Sequence, residues 1–134
     1  MTPFALHPRL AADTSFVADW PLSRLLVLND ARYRWLVLVP RVVAAVEIFD
    51  LDAGDRIGLV EETARAAQRL SQLTGAAKIN IGALGNLVPQ LHVHVVARNP
   101  GDPAWPGPVW GHSPALPYEA ALRDAFVAEF LKAH

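Results

Sequence analysis

The sequence predicts an α+β fold, an antiparallel sheet of about five strands with one long helix and a C-terminal helix packed against it. Three observations carry that reading. Short apolar runs flanked by Pro, Asp or Asn crowd the first third of the chain, as strands do. After Asp52 the apolar residues switch to spacings of three and four, as in a helix. The gap between the second and third runs, Asn29-Asp30-Ala31-Arg32, suits an antiparallel hairpin and is too short for a parallel crossover.

The first three strands are read at Ser15–Ala18, Leu25–Leu28 and Trp35–Val39, and Pro40, which has no N–H to donate, ends the third. In the long helix, Ile57, Val60, Ala64, Ala67, Leu70 and Leu73 mark the apolar face. Asp52 caps its first turn, Asp55 suits the positive end of its dipole, and Gly75 stands where a C′ glycine would. Lys78–Ile81 and Leu91–Ala97 supply two more strands, joined by a glycine-bearing loop. A second helix is expected from about Tyr118 to Leu131, with Leu122, Ala125, Phe126 and Phe130 on its apolar side. No repeat, linker or low-complexity tract divides the chain, so residues 1–134 are expected to form a single domain.

Hydrophobic residues make up 52% and charged ones 19%, which excludes a disordered chain, and no apolar run has the length of a membrane span. Twelve basic against thirteen acidic residues leave no dense positive charge for a nucleic acid polymer. The segment Met1–Pro8 has no basic stretch followed by an apolar core, so a cytoplasmic address is expected. With no cysteine, thiol nucleophiles and thiolate metal sites drop out, and histidine is the strongest nucleophile left at neutral pH.

The histidines that matter lie in Gln90-Leu91-His92-Val93-His94-Val95-Val96. Side chains alternate across a strand, so Gln90, His92 and His94 share one face while Leu91, Val93 and Val95 make core on the other. Adjacent imidazoles oppose each other's protonation, which favours neutral rings. Just upstream, Asn80 to Pro89 provides Gly82 and Gly85, which let backbone approach a ligand, and the carboxamides of Asn80 and Asn86.

These residues resemble the histidine triad family of nucleotide hydrolases and transferases, whose signature is His-φ-His-φ-His-φ-φ with φ apolar. Here the run is Gln90-φ-His92-φ-His94-φ-φ. Trp35-Leu36-Val37-Leu38-Val39-Pro40-Arg41 is also similar to the family's strand that closes the nucleotide pocket. The resemblance implies a histidine triad fold and a covalent reaction that needs no metal or other cofactor. His92 would attack the α-phosphorus of a small nucleotide, and His94 would hydrogen-bond the phosphoryl group. Asn29 falls where the family binds ribose hydroxyls, and Asn80 and Asn86 where it contacts sugar and phosphate. A homodimer whose sheets join is implied as well. The expected activity is hydrolysis of a dinucleoside polyphosphate or a nucleoside phosphoramidate.

Two departures stand out. Gln90 replaces the first histidine, so it either touches phosphate through an amide that cannot carry a proton or ties the strand to a neighbouring loop. Trp35 replaces an upstream histidine, and reads as core ahead of a platform for the base. Trp105 and Trp110 read as core or interface, Lys78, Arg41 and Arg98 as solvated, and His7 and His134 as bystanders. Two other functions compete: a nucleotide-binding module with little turnover, and a metalloprotein in which His92 and His94 share one ion with His112 or a carboxylate.

Overall fold

The computed structural model describes residues 3–132, which leaves His134 outside the described residues. Its strands are β1 Thr14–Asp19, β2 Ser23–Leu28, β3 Arg34–Pro40, β4 Lys78–Gly82 and β5 Val93–Arg98, and its helices α1 Pro8–Asp13, α2 Ala53–Thr74 and α3 Ala120–Lys132. The five strands form one sheet in the order β1-β2-β3-β5-β4, antiparallel at every pairing. The α+β expectation and the β2–β3 hairpin hold.

The period-2 alternation sorts side chains onto two faces, and both are covered. Leu25, Val27, Leu36, Leu38, Val95 and Ala97 meet Ala66 and Leu70 of α2 and Phe126 and Phe130 of α3. On the opposite face, Leu26, Trp35, Val37, Val39 and Val96 pack with Leu10 of α1, Val88 and Val109. Every residue of β5 is consequently buried, and polar side chains on that strand lie inside the protein. Helix α1 was not foreseen. It starts with Pro8 in its first turn and with the His7 ring accepting from Arg9 N–H at 3.1 Å.

Both ends of α2 are as expected. The Asp52 carboxylate accepts from Asp55 N–H at 2.8 Å, and Gly75 takes φ +64°. Its buried face holds in the C-terminal half, where Leu70 is buried and Ala67 and Leu73 pack against the core, and departs from expectation in the first turns. Ile57 is 65% exposed and Val60 59%, while Leu59, Glu62, Thr63, Ala66 and Leu70 turn inward. The Glu62 carboxylate accepts from the backbone N–H groups of Leu22 and Ser23, each at 2.9 Å, and so satisfies the β1–β2 turn. On α3, Phe126 and Phe130 are buried but Leu122 stays exposed.

Arg98 corrects the expectation of a solvated charge, being 1% exposed. Its guanidinium forks onto Asp102 at 2.8 and 3.0 Å, donates to Asn80 Oδ1 at 2.8 Å and to Gly107 O at 2.8 Å, and lies near the Tyr33 and Trp105 rings. Arg41 is also engaged, through Trp20 O at 2.7 Å and Asp19 at 3.2 Å. Asp102 in turn accepts from the N–H groups of Asn99, Ala104 and Trp105, so one buried ion pair organises the segment that follows β5. Replacing Arg98 with Ala strands Asp102 and two further acceptors, Asn80 Oδ1 and Gly107 O. Urea denaturation should show a loss of about 3 kcal/mol, against under about 1 kcal/mol for removal of Arg123, whose ion pair with Asp124 lies at the surface.

Candidate active site

His94 sits in the middle of the sheet, opposite Val37 on β3 and Gly82 on β4. His92 precedes β5 by one residue, and the two rings stand with centroids 5.0 Å apart. Both are buried, at 7% and 8% exposure, and both line a hollow of about 530 Å³. Its walls come from Leu10 of α1, Trp35, Trp110 and the loop Leu84–Val88. Gly82 is needed for the far wall, because a Cβ there would stand 3.0 Å from Cη2 of the Trp110 indole. Gly85 supplies the positive φ, +77°, that turns the loop over the hollow.

The proton positions on both rings follow from their partners. His92 Nδ1 lies 2.7 Å from the backbone oxygen of Gln90. A carbonyl only accepts, so Nδ1 carries the hydrogen and the neutral ring has its lone pair on Nε2. His94 is the reverse case. Its Nδ1 lies 2.9 Å from the Trp35 indole N–H, which only donates, so Nδ1 is the acceptor and the hydrogen sits on Nε2. The hollow is thus lined by one imidazole with a nucleophilic nitrogen and one with a fixed donor.

Comparison with known proteins assigns the fold to a family. The HIT domain family model covers residues 9–101. The chain belongs to the histidine triad family. It is 47% identical to a histidine triad protein from Bradyrhizobium japonicum, over 98% of both chains with a TM-score of 0.96. A histidine triad protein from Sinorhizobium meliloti 1021 shares 44% over 98% of this chain and 97% of that one, with a TM-score of 0.96. One from Marinobacter aquaeolei VT8 shares 42% over 96% and 93%, with a TM-score of 0.93. No protein with a curated description matches the chain. Histidine triad proteins are generally nucleotide hydrolases or transferases.

Four of the seven residues expected at the triad site line the hollow: His92, His94, Trp35 and Asn86. The other three are engaged elsewhere. Gln90 donates from Nε2 to Ala5 O at 2.9 Å and accepts at Oε1 from His7 N–H at 2.8 Å, so it clamps the N-terminal segment that leads into α1. The backbone of His7 is therefore no bystander. Asn29 accepts from Tyr118 N–H at 2.8 Å and joins the hairpin to the α3 approach. Asn80 accepts from Arg98, as described above. Trp35 is 6% exposed, packs in the core and donates its indole N–H to His94.

The sequence reading missed several residues of the hollow. Arg9, Leu10 and Asp13 of α1 line it, as do Asp30 and Arg32 of the hairpin. Buried Asp30 grips Arg32 at 2.9 and 3.0 Å. The Asp30 carboxyl is held below its ordinary value by hydrogen bonds from Arg32 and Leu116 that outweigh the opposing effect of burial. Trp110, read from the sequence as core or interface, also lines the hollow, edge-on to His94 at 5.6 Å. Pro8 before a short mixed run was the one signal for α1.

Burial is the main cause that lowers the His94 pKa, from 6.5 to about 3, with the charge of His92 the lesser one. The neutral-ring expectation therefore holds for His94, although desolvation outweighs the like-charge effect. Between about pH 6.5 and 3 the unfolded chain binds a proton at this position and the folded chain does not. Stability from His94 is thus complete above pH 6.5 and falls as the pH drops toward 3, by at most about 1.4 kcal/mol per pH unit. Denaturation curves at pH 7 and pH 5 should show a wild-type loss on the order of 2 kcal/mol larger than that of His94→Gln. Equal losses in the two proteins would mean that the ring is not held neutral.

Proposed function

We propose that this protein is a nucleotide phosphohydrolase that works through a covalent nucleotidyl-histidine. The observation that carries the reading is the opposed pair of tautomers, a lone pair on His92 Nε2 beside an N–H on His94 Nε2. His92 Nε2 attacks the α-phosphorus and forms an N–P bond while the bond to the leaving group breaks, its electron pair departing with that group. His94 Nε2–H donates to a phosphoryl oxygen as negative charge gathers there. Water then attacks the phosphorus and releases His92 with a nucleoside monophosphate. The hollow of about 530 Å³ has room for one nucleotide, and Asn86 lines it together with the two rings.

Gln90 bears on the choice of leaving group. Its carboxamide holds no transferable proton and is bonded to Ala5 and His7. A phosphoanhydride releases a weakly basic phosphate that needs no proton, whereas a phosphoramidate releases an amine that does. A dinucleoside polyphosphate is therefore the better substrate. The same commitment favours a second reading, a nucleotide-binding module with little turnover. We read the location as cytoplasmic, in keeping with a chain that has no cysteine and no described helix long and apolar enough to cross a membrane. Among the described residues no three His, Cys, Asp or Glu side chains are grouped to hold a metal ion.

We also propose a homodimer joined along β4. That strand is an edge of the sheet, and apolar side chains stand exposed around it: Ile81 53%, Ile48 50%, and Val60 of α2. An open edge beside an apolar patch is a ready surface for a second copy.

Rapid quench with a dinucleoside polyphosphate, followed by mass spectrometry, should find a nucleotidyl adduct on His92, formed at least about tenfold faster than from a matched phosphoramidate. A His92→Ala protein with full turnover ends the covalent reading; nucleotide binding by calorimetry without adduct or turnover establishes the binding module instead. Light scattering should give the mass of two chains, and Ile81→Lys should shift it toward one. A wild-type protein with the mass of one chain ends the dimer.

A further inference from the structure

We propose that Trp35 is a positioning residue of the active site, holding His94 as a neutral ring whose Nε2–H is presented to substrate whatever the pH of the reaction. The inference rests on the proposed hydrolase for its consequence in turnover, though the hydrogen bond itself does not. An indole N–H donates, never accepts, and does not titrate in the range of enzyme assays. At 2.9 Å from His94 Nδ1 it imposes one tautomer on the ring. Any side chain that titrates there would change sides as it gained or lost a proton.

The surroundings make this constraint hard to escape. Trp35 is 6% exposed and set edge-on against Tyr33 at 5.9 Å and Trp110 at 6.2 Å, so the indole has little room to turn. His94 is held between Trp35 and Trp110, each at 5.6 Å. Its neighbours across the sheet, Val37 and Gly82, bring no charge. The charged groups facing the hollow are Arg9 with Asp13 from α1 at 3.8 Å, and Asp30 with Arg32 from the hairpin at 2.9 Å, each acid next to a base. The remaining titratable neighbour is His92, whose positive form opposes a proton on His94. To become cationic, His94 would have to place a proton on Nδ1 and turn its bond with Trp35 into a clash of two N–H groups. Burial already acts against that charge.

Nitrogen-resolved NMR of the histidine rings tests the lock in the wild-type protein. From pH 5 to pH 9, His94 should keep an acceptor-type Nδ1 and a protonated Nε2. A titrating His94, or one with its hydrogen on Nδ1, overturns the proposal. The companion variants are Trp35→Phe, which keeps a ring but removes the N–H, and Trp35→His, which restores a donor that titrates. Trp35→Phe should lower kcat by about ten- to hundredfold with KM changed less than about threefold, and the acid limb of its kcat profile should gain a second protonation. Trp35→His should recover part of kcat and introduce a pH dependence of its own. A folded Trp35→Phe protein with wild-type kcat and pH profile overturns the proposal, and if that variant does not fold the wild-type spectra decide alone. The spectra judge the lock and the His92 adduct judges the hydrolase, so the two can fail separately.

Discussion

A neutral imidazole has one hydrogen for two nitrogens, and here the partner at each Nδ1 determines what faces the hollow. A backbone carbonyl, Gln90 O, takes the hydrogen of His92 and leaves an Nε2 lone pair. An indole, Trp35, fills the Nδ1 lone pair of His94 and leaves an Nε2 donor. Two chemically identical side chains, two residues apart, are thereby assigned opposite tasks. Neither assignment survives if its partner shifts, so the rest of the fold is read most usefully as what keeps those two partners still.

Burial of both sheet faces provides that stillness. Because β5 is covered by α2 and α3 on one side and by α1, the Leu84–Val88 loop and the segment after β5 on the other, the rings sit in a dry, packed setting where a misplaced hydrogen bond is costly. Arg98 extends the same logic to irregular chain. One buried guanidinium ties Asn80, Asp102 and Gly107 together, and Asp102 holds the turn at residues 99–105. That turn leads to Trp110, which leans on Gly82 and borders His94. A cation remote from the chemistry thus supports one wall of the hollow.

The strands were legible because Pro40, the Asn29–Arg32 hairpin and a period of two all act locally, and so were the ends of α2, where Asp52 and Gly75 meet hydrogen-bond demands of the nearest turn. The buried face of α2 was legible at Ala67, Leu70 and Leu73 but not in its first turns. Hydropathy puts Ile57 and Val60 inside and Glu62 outside, yet two backbone N–H groups some 40 residues away require the carboxylate. The spacing of His92 and His94 revealed the centre of the site. Its supports stayed hidden because each depends on a distant partner: Trp35 reaches His94 across a strand diagonal, Arg98 finds Asn80 on another strand, and α1 is too short to show a period.

The two departures from the triad pattern share one physical effect. At position 90 a carboxamide offers a donor and an acceptor at once, and it meets Ala5 O and His7 N–H without any change of charge as the pH varies. At position 35 an indole offers a donor under the same condition. An imidazole at either place would hold a hydrogen bond only in one protonation or tautomeric state, and would add a positive charge to a buried cluster at low pH. With both replaced, and His94 locked by its neighbour, His92 is the imidazole lining the hollow that keeps its lone pair on Nε2. On the proposed reaction, the site gives up the capacity to relay protons among several imidazoles and keeps one lone pair, on His92, in fixed surroundings. That trade suits a substrate whose leaving group needs no proton better than one whose leaving group does.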